Sequence, residues 1–259
     1  MPRKNLKPFL CLILMLILAS VACSTSVPQP TSTSTPEPTS TNTAVPTNTP
    51  RPSPTPRPTK TPNLAATQRA EELNAEAQSY FDKGYLTTMN GRFRELEDFT
   101  DEWAQLGWYQ WLPLDGTAGD FYMSAHFEWD SAYRNSDTSG CGFIFAIQPN
   151  NDHYAVFLDR SEVLFLVTDT TLGYSKPVGK TRGTGRIKFD YPAEADFTLI
   201  VKEAYAYVLV DGEVVGEYTL SKSKPMRGNL ALTILSGTNK DYGTRCSMTN
   251  LHLWIPNGG

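Results

Sequence analysis

The sequence predicts an all-β fold for residues 84–259, and three observations support this prediction. First, short segments in which apolar and polar residues alternate recur along this region, as expected of strands with one buried face. Second, Gly- and Asn-rich turns separate these segments, and no helices alternate with them. Third, Asp211-Gly212 joins two such segments in the manner of a tight β-hairpin turn. These features together indicate an antiparallel sandwich or barrel.

The strongest single element is Asp120–Asp130, in which every odd position is apolar and five of the six even positions are Ser, His, Glu or Asp. This period of two predicts a strand with one face in the core. The hairpin spans 205–220, and the last strand is expected from Thr244 to Ile255. Further strands are predicted around Phe143–Ile147, Tyr154–Leu158, Val163–Val167, Phe197–Val201 and Leu230–Ile234.

Residues 1–22 have the pattern of a signal peptide, in which basic residues precede the apolar run Phe9–Ala19. This run is shorter than the roughly 20 residues that a membrane span needs. The segment LASVAC, which ends at Cys23, resembles the lipobox of bacterial lipoproteins. That resemblance implies a lipid on Cys23 and an extracytoplasmic protein anchored to the cell membrane. Cleavage without lipidation, giving a secreted protein, and an uncleaved anchor helix are the alternatives.

Residues 23–63 form a predicted disordered linker, because 29 of the 40 residues after Cys23 are Pro, Thr or Ser. Such a segment buries too little apolar surface to offset its conformational entropy. An amphipathic helix is predicted over 64–83, with Thr61 as its cap, Pro62 in its first turn and Gly84 ending it. Its apolar stripe is expected to pack on the β domain, the alternative being a pairing with another copy.

Five short motifs lie between residues 92 and 255. They are Leu96-Glu97-Asp98-Phe99 followed by Trp103, Ser139–Phe145, Asn151–Tyr154, Val210-Asp211-Gly212 and Met248–Trp254. In their order and spacing these motifs resemble those of concanavalin A-like proteins, and the first resembles the opening strand of that family. The resemblance implies a two-sheet antiparallel jelly-roll sandwich, and members of the family include lectins, laminin-G-like modules and glycanases.

Charge and motif content exclude several classes of function. The chain has a net charge of −4, and residues 64–259 are more acidic still, because six basic residues and one acidic residue precede them. An acidic domain without a basic stripe argues against a nucleic-acid partner. The E-x-D-x-x-E strand of glycanases with this fold is absent, as are phosphate- and dinucleotide-binding motifs. We therefore expect no enzyme activity, with a glycoside hydrolase as a remote alternative.

Cys141 and Cys246 are the two cysteines that remain once Cys11 and Cys23 are assigned to the signal peptide and the lipid site. In an oxidising compartment this even pair predicts a disulfide. No cofactor is expected. The three histidines lack metal-ligand spacing, so no metal site is predicted, although the loop Asp130–Asp137 offers oxygen atoms that would suit calcium.

The function predicted from the sequence is a non-catalytic binding module, with an extracellular polysaccharide as its ligand. Aromatic rings stack on the C–H faces of sugars, and several aromatic residues fall in segments that look like loops, where burial is not forced. The alternative is a structural or protein-interaction domain of the cell envelope. The candidate ligand-binding residues are Trp108, Trp111, Tyr133, Tyr174 and Tyr242.

Overall fold

A computed structural model describes residues 63–133, 138–160, 162–180, 182–183 and 192–258, all within the compact unit Lys60–Gly259. The predicted signal peptide, the lipidation at Cys23 and nearly all of the predicted linker lie outside the described residues, as does part of the suggested calcium loop (134–137). The described residues form one helix and fourteen strands in two antiparallel sheets. This is the all-β, two-sheet antiparallel jelly-roll sandwich that the sequence predicts.

The first sheet, called sheet I, carries the helix α1 (Leu64–Asp82) on its outer face. The C-terminal strand β14 (Thr244–Pro256) lies inside this sheet, and β2 (Phe99–Trp103) pairs with part of β14. The remaining strands of sheet I, in spatial order, are β1 (Gly91–Glu95), β14 (Thr244–Pro256), β4 (Phe121–Ser131), β10 (Ala193–Lys202), β11 (Tyr205–Val210) and β12 (Glu213–Thr219).

The second sheet, called sheet II, carries the candidate site on its outer face. The short strand β9 (Arg182–Gly183) pairs with β7 (Glu162–Asp169). The other strands of sheet II, in spatial order, are β3 (Trp108–Ala118), β13 (Gly228–Ser236), β5 (Gly140–Ile147), β6 (His153–Leu158), β7 (Glu162–Asp169) and β8 (Tyr174–Pro177).

The core lies between the two sheets and uses the faces that the alternating pattern predicts. On β4, the odd-numbered side chains from Phe121 to Trp129 all enter this core. Tyr122 differs from the pattern, because it points to the opposite face and is nevertheless fully buried. Helix α1 covers that face, and Tyr80 of the helix packs edge-on against the Tyr122 ring. A second element therefore buries a position that alternation alone would leave in solvent.

A disulfide joins Cys141 of β5 to Cys246 of β14, so it links sheet II to sheet I through the core. The two Cα atoms are 5.8 Å apart, within the range of normal disulfides. Both cysteines are fully buried. The predicted disulfide is thus confirmed.

Helix α1 packs on sheet I, as expected, but its cap differs from the prediction. Asn63, not Thr61, is the cap, and its side chain accepts a hydrogen bond from the backbone N–H of Ala66. Asn is at least as good a cap as Thr, because its carbonyl oxygen reaches the free N–H groups of the first turn. Leu73, Ala77 and Tyr80 form the buried stripe, whereas Leu64 is 74% exposed. No helix among the described residues is both long and apolar enough to span a bilayer.

The opening of the domain is divided between two strands rather than being the single strand that the Leu96–Trp103 motif suggests. β1 ends at Glu95 and β2 begins at Phe99, and both pair with β14. The chain crosses from one to the other at a bulge in β14, where the N–H of Leu96 donates to the carbonyl of Leu251. Asn250 adopts a positive φ at this bulge, a conformation that Asn tolerates better than most residues.

Candidate functional site

A groove of about 660 Å³ lies on the outer face of sheet II. Strands β3, β13, β6, β7 and β8 contribute to it, so the chain from residue 107 to residue 235 is needed to build it. Its described lining is Gly107, Trp108, Tyr109, Trp111, Thr138, Asn151, His153, Leu164, Leu166, Thr168, Thr170, Ser175 and Leu235.

Strand β7 supplies the floor of the groove, because both of its faces are largely apolar. Val163, Phe165 and Val167 point into the core, as the sequence predicts. The side chains between them alternate to the outer face, where Leu164 and Leu166 pack with the buried ring of Phe157. A strand that is apolar on its solvent side leaves a surface suited to a ligand with an apolar face.

Three aromatic residues of β3 form one wall of the groove. Trp108 is 64% exposed, whereas Tyr109 and Trp111 are half-buried and pack against the small cluster under the groove. The sequence predicts loop-like or irregular segments at Trp108, Trp111 and Tyr174, and this prediction is wrong. Trp108 and Trp111 lie in β3, and Tyr174 begins β8. Among the described strands, β3 pairs only with β13, and it contains Pro113, so its sequence lacks the regular alternation of a central strand.

A chain of hydrogen bonds connects the polar side chains of the groove. Nδ1 of His153 lies 2.7 Å from the carbonyl oxygen of Asn151, and its Nε2 lies 2.7 Å from the Tyr109 hydroxyl. That hydroxyl is 3.2 Å from Oγ1 of Thr168, which is 3.0 Å from Oγ of Ser175. Four side chains from β3, β6, β7 and β8 are thereby held in one network.

The direction of these hydrogen bonds follows from chemistry. A carbonyl oxygen only accepts, so Nδ1 of His153 donates to Asn151. Burial lowers the pKa of His153, which leaves Nε2 unprotonated at neutral pH to accept from Tyr109. Burial raises the pKa of Tyr109, so its phenol keeps the proton that it donates.

The hydroxyl groups then align in one direction. Because Tyr109 uses its only hydrogen on His153, Thr168 must donate to the Tyr109 oxygen, and Ser175 must donate to Thr168. The network therefore ends with the lone pairs of Ser175 Oγ, since its hydrogen is already used. Ser175 lies at the exposed edge of the groove, where it can accept a hydrogen bond from a ligand hydroxyl.

An ion cluster beside the groove fixes the loops that carry Asn151 and Thr170. Lys224 Nζ lies 3.0 Å from Asp152 Oδ2 and 2.9 Å from Asp169 Oδ2. The other Asp152 oxygen accepts from the backbone N–H and the hydroxyl of Thr170. The Thr170 backbone bond and the Lys224 ammonium lower the pKa of Asp152 to about 2. The Lys224 ammonium also lowers the pKa of Asp169.

The other three candidate residues do not line the groove. Each ring has a cation above it, 4.5–4.8 Å from its centre, at a distance typical of cation–π contacts. Tyr242 also donates from its hydroxyl to Asp130. The pairs are Lys240 on Tyr133, Lys176 on Tyr174 and Arg245 on Tyr242.

Sequence reasoning missed most of the polar groove residues. His153, Thr168 and Ser175 lie near strand ends, where polar side chains are common and do not by themselves indicate a binding site. A usable signal was nevertheless present in residues 163–167, which are all apolar. Such a run indicates a strand buried or covered on both faces, and the outward-facing Leu164 and Leu166 could have been singled out on that ground.

The outer face of sheet I bears a more polar cavity of about 450 Å³ beside helix α1. In it, His126 Nδ1 lies 2.8 Å from Asp196 Oδ1, and His252 Nε2 lies 2.7 Å from Glu76 Oε2. The histidines are thus paired with separate carboxylates. In the part of the chain that the structure describes, no three His, Cys, Asp or Glu side chains are grouped to hold a metal ion.

Comparisons with known proteins give distant structural similarities only. No family model and no curated protein matches the sequence. The carbohydrate-binding module CBM66 from Bacillus subtilis is similar over 61% of this chain and 92% of its own, with 11% identity and a TM-score of 0.44. Sheep galectin-11 is similar over 57% and 98%, with 9% identity and a TM-score of 0.38.

A fructosyltransferase from A. japonicus is similar over 64% of this chain, with 15% identity and a TM-score of 0.40. This chain spans about a quarter of the length of that enzyme, 26%. Similarities this low say nothing about which residues of this chain bind a ligand.

Proposed function

We propose that this protein is a non-catalytic binding module for an uncharged extracellular glycan, held in the groove of sheet II. The observation that carries the proposal is the combination of an aromatic wall, an apolar floor and an oriented hydroxyl network in one groove. Sugars present both C–H faces and hydroxyl groups, so such a groove offers each a suitable partner.

The charge of the groove supports an uncharged ligand. None of its described lining residues is Asp, Glu, Lys or Arg, and burial favours the neutral form of His153. An anionic or cationic ligand would lose its hydration without gaining a countercharge. Binding should therefore be modest in affinity and depend weakly on salt.

The two carboxylates of the ion cluster beside the groove, Asp152 and Asp169, support binding without cleavage. Hydrolysis of a glycosidic bond needs a protonated carboxyl that can donate to the leaving group. Asp152 and Asp169 both bind Lys224, and a pKa of about 2 leaves Asp152 ionised at neutral pH. Their remaining oxygens accept backbone N–H groups of Thr170 and Leu172. Both carboxylates thus serve to hold loops in place.

The proposed location is the outside of the cell membrane, with the lipid on Cys23 as the anchor. The apolar run before Ser20-Val21-Ala22-Cys23 and the Pro/Thr/Ser-rich segment after it support this location. Acyl mass on Cys23, and release of a Cys23→Ala variant into the medium, are the expected results. An unacylated wild-type protein in the medium would contradict the anchor and leave the binding proposal intact.

A glycan array with the full-length protein tests the binding proposal. We expect neutral glycans to bind and a Ser175→Ala variant to bind them more weakly, because the variant lacks the oxygen that accepts from a ligand hydroxyl. Thr219→Ala is the matched control, since Thr219 is an exposed strand residue of sheet I outside the groove. Equal binding by both variants would contradict the placement of the sugar at Ser175, and no neutral glycan bound at millimolar ligand would favour the protein-interaction alternative.

A further inference from the structure

We infer that the groove is built for an amphiphilic ligand: a neutral sugar that carries an alkyl, acyl or aryl group. This inference rests on the proposed function and specifies its ligand class. It follows from the order in which apolar and polar side chains occur along the groove.

Strand β7 shows the order most directly. Its outward side chains within the groove are Leu164, Leu166 and Thr168, in that sequence along the strand, and Thr170 follows just beyond the strand end. Two-residue steps on one strand are roughly 6.6–6.8 Å apart, so the change from leucine to threonine occurs within one step. The groove therefore has an apolar end and a polar end about 13 Å apart along β7.

Strand β6, which pairs with β7, has the same order of apolar and polar residues at the paired positions. Phe157 of β6 pairs with Leu164, and His153 pairs with Thr168. On the other side of β7, Ser175 of β8 also pairs with Thr168. The polar residues thus form one row across three strands, and the apolar residues lie in the rows behind it.

Tyr109 spans the apolar and polar ends of the groove, with its ring at the apolar end and its hydroxyl at the polar end. Its ring packs on Phe157 at 5.2 Å between centres, whereas its hydroxyl reaches His153 and Thr168. A sugar with hydroxyls on every side would leave several of them unpaired over the leucines, which is unfavourable. A sugar at the polar row with an apolar substituent over Leu164 and Leu166 satisfies both ends.

Calorimetry with a chain-length series tests this inference. The probes are methyl, hexyl and octyl glycosides of glucose, galactose and maltose, used below their micelle concentrations, with octanol as the probe without a sugar. We expect the affinity of the full-length protein to rise by about two- to fourfold for each buried methylene. In a Leu166→Thr variant the rise should flatten, whereas Leu172→Thr, at an exposed leucine outside the groove, should behave as wild type.

The outcomes separate this inference from the proposed function. Glycosides that bind equally well whatever their chain length would overturn the amphiphilic ligand and leave glycan binding standing. Octanol that binds as tightly as octyl glycoside would overturn the inference and the glycan proposal together, because the sugar would contribute nothing. A failure of every glycoside to bind would also overturn the inference, and the glycan array would then decide the proposed function on its own.

Discussion

The hydroxyl of Tyr109 lies 2.7 Å from Nε2 of His153, although strands β13 and β5 separate the strands that carry them. The two side chains meet over the outer face of sheet II, and the Trp111 ring packs edge-on against the same histidine. This contact connects the aromatic wall of the groove to its polar row. The tautomer of His153 therefore decides which ligand atoms the groove can bind.

We predict that His153 is neutral and protonated at Nδ1 at pH 7. The Asn151 carbonyl accepts from Nδ1, and burial lowers the pKa of the ring. Nitrogen chemical shifts of the imidazole, measured by NMR, distinguish the two neutral tautomers and the charged form. His252 is an internal comparison in the same spectrum, since its two nitrogens face Asn250 O and Glu76 Oε2, whereas those of His153 face a carbonyl and a phenol. A proton on Nε2 of His153 would reverse the hydroxyl network derived above.

The ion cluster around Lys224 should make stability depend on pH in the acid range. The pKa of Asp152 is about 2 in the folded protein and near 3.8 in an unfolded chain. The unfolded chain therefore binds more protons between these values, and stability is lost as the pH falls from about 4 to 2. A Lys224→Met variant should melt lower than wild type at pH 7, and the difference should shrink as the pH falls through about 2.

Lys222→Met is the control for this experiment, because Lys222 is exposed two residues away and belongs to no described ion pair. The melting temperatures of wild type and of both variants are measured by thermal unfolding between pH 7 and pH 2. A difference between Lys224→Met and wild type that persists unchanged at pH 2 would mean that packing of the lysine side chain, not its charge, stabilises the loops.

The disulfide should contribute strongly to stability because it closes a long loop between the two sheets. Its cysteines are 105 positions apart, and in the chain-entropy model a loop of that length is worth roughly 4–5 kcal/mol. Urea unfolding of a Cys141→Ala/Cys246→Ala variant should show a loss of this order. Addition of a reductant should then destabilise the wild-type protein and leave the variant unchanged. Free thiols at both positions in the native protein would contradict the bond.

The sequence predicted the core better than the groove, for a physical reason. Alternation reports which side of a strand avoids water, and it placed Phe127 and Phe165 in the core correctly. It does not report what covers the other side, so Tyr122 under the helix and Leu166 in the groove were not foreseen. The groove also depends on strand pairing, which brings residues as far apart as Tyr109 and Ser175 into one network.

Helix α1 should be held to sheet I by the Glu76–His252 pair as well as by its apolar stripe. Glu76 also accepts a hydrogen bond from Tyr80, and His252 is buried. A Glu76→Ala variant should lose about 1.5–3 kcal/mol of stability, as is usual for hydrogen bonds to charged groups. Amide hydrogen exchange should then speed up in Leu73–Asp82 more than in β4. Glu72→Ala is the matched control, because Glu72 is an exposed residue of the same helix.

Trp108 and Trp111 should respond differently to substitution, although both line the groove. Trp108 is 64% exposed, so its replacement by alanine removes contact area from a ligand and little from the folded protein. Trp111 is half-buried and packs on His153, so its replacement also opens a gap in the cluster under the groove. We expect Trp108→Ala to weaken glycan binding five- to thirtyfold, equivalent to about 1–2 kcal/mol, with an unchanged melting temperature. The Trp111→Ala variant should show both weaker glycan binding and a lower melting temperature. A Trp108→Ala variant that binds as tightly as wild type would place the ligand on the leucine floor and the polar row alone, away from the rim of the groove.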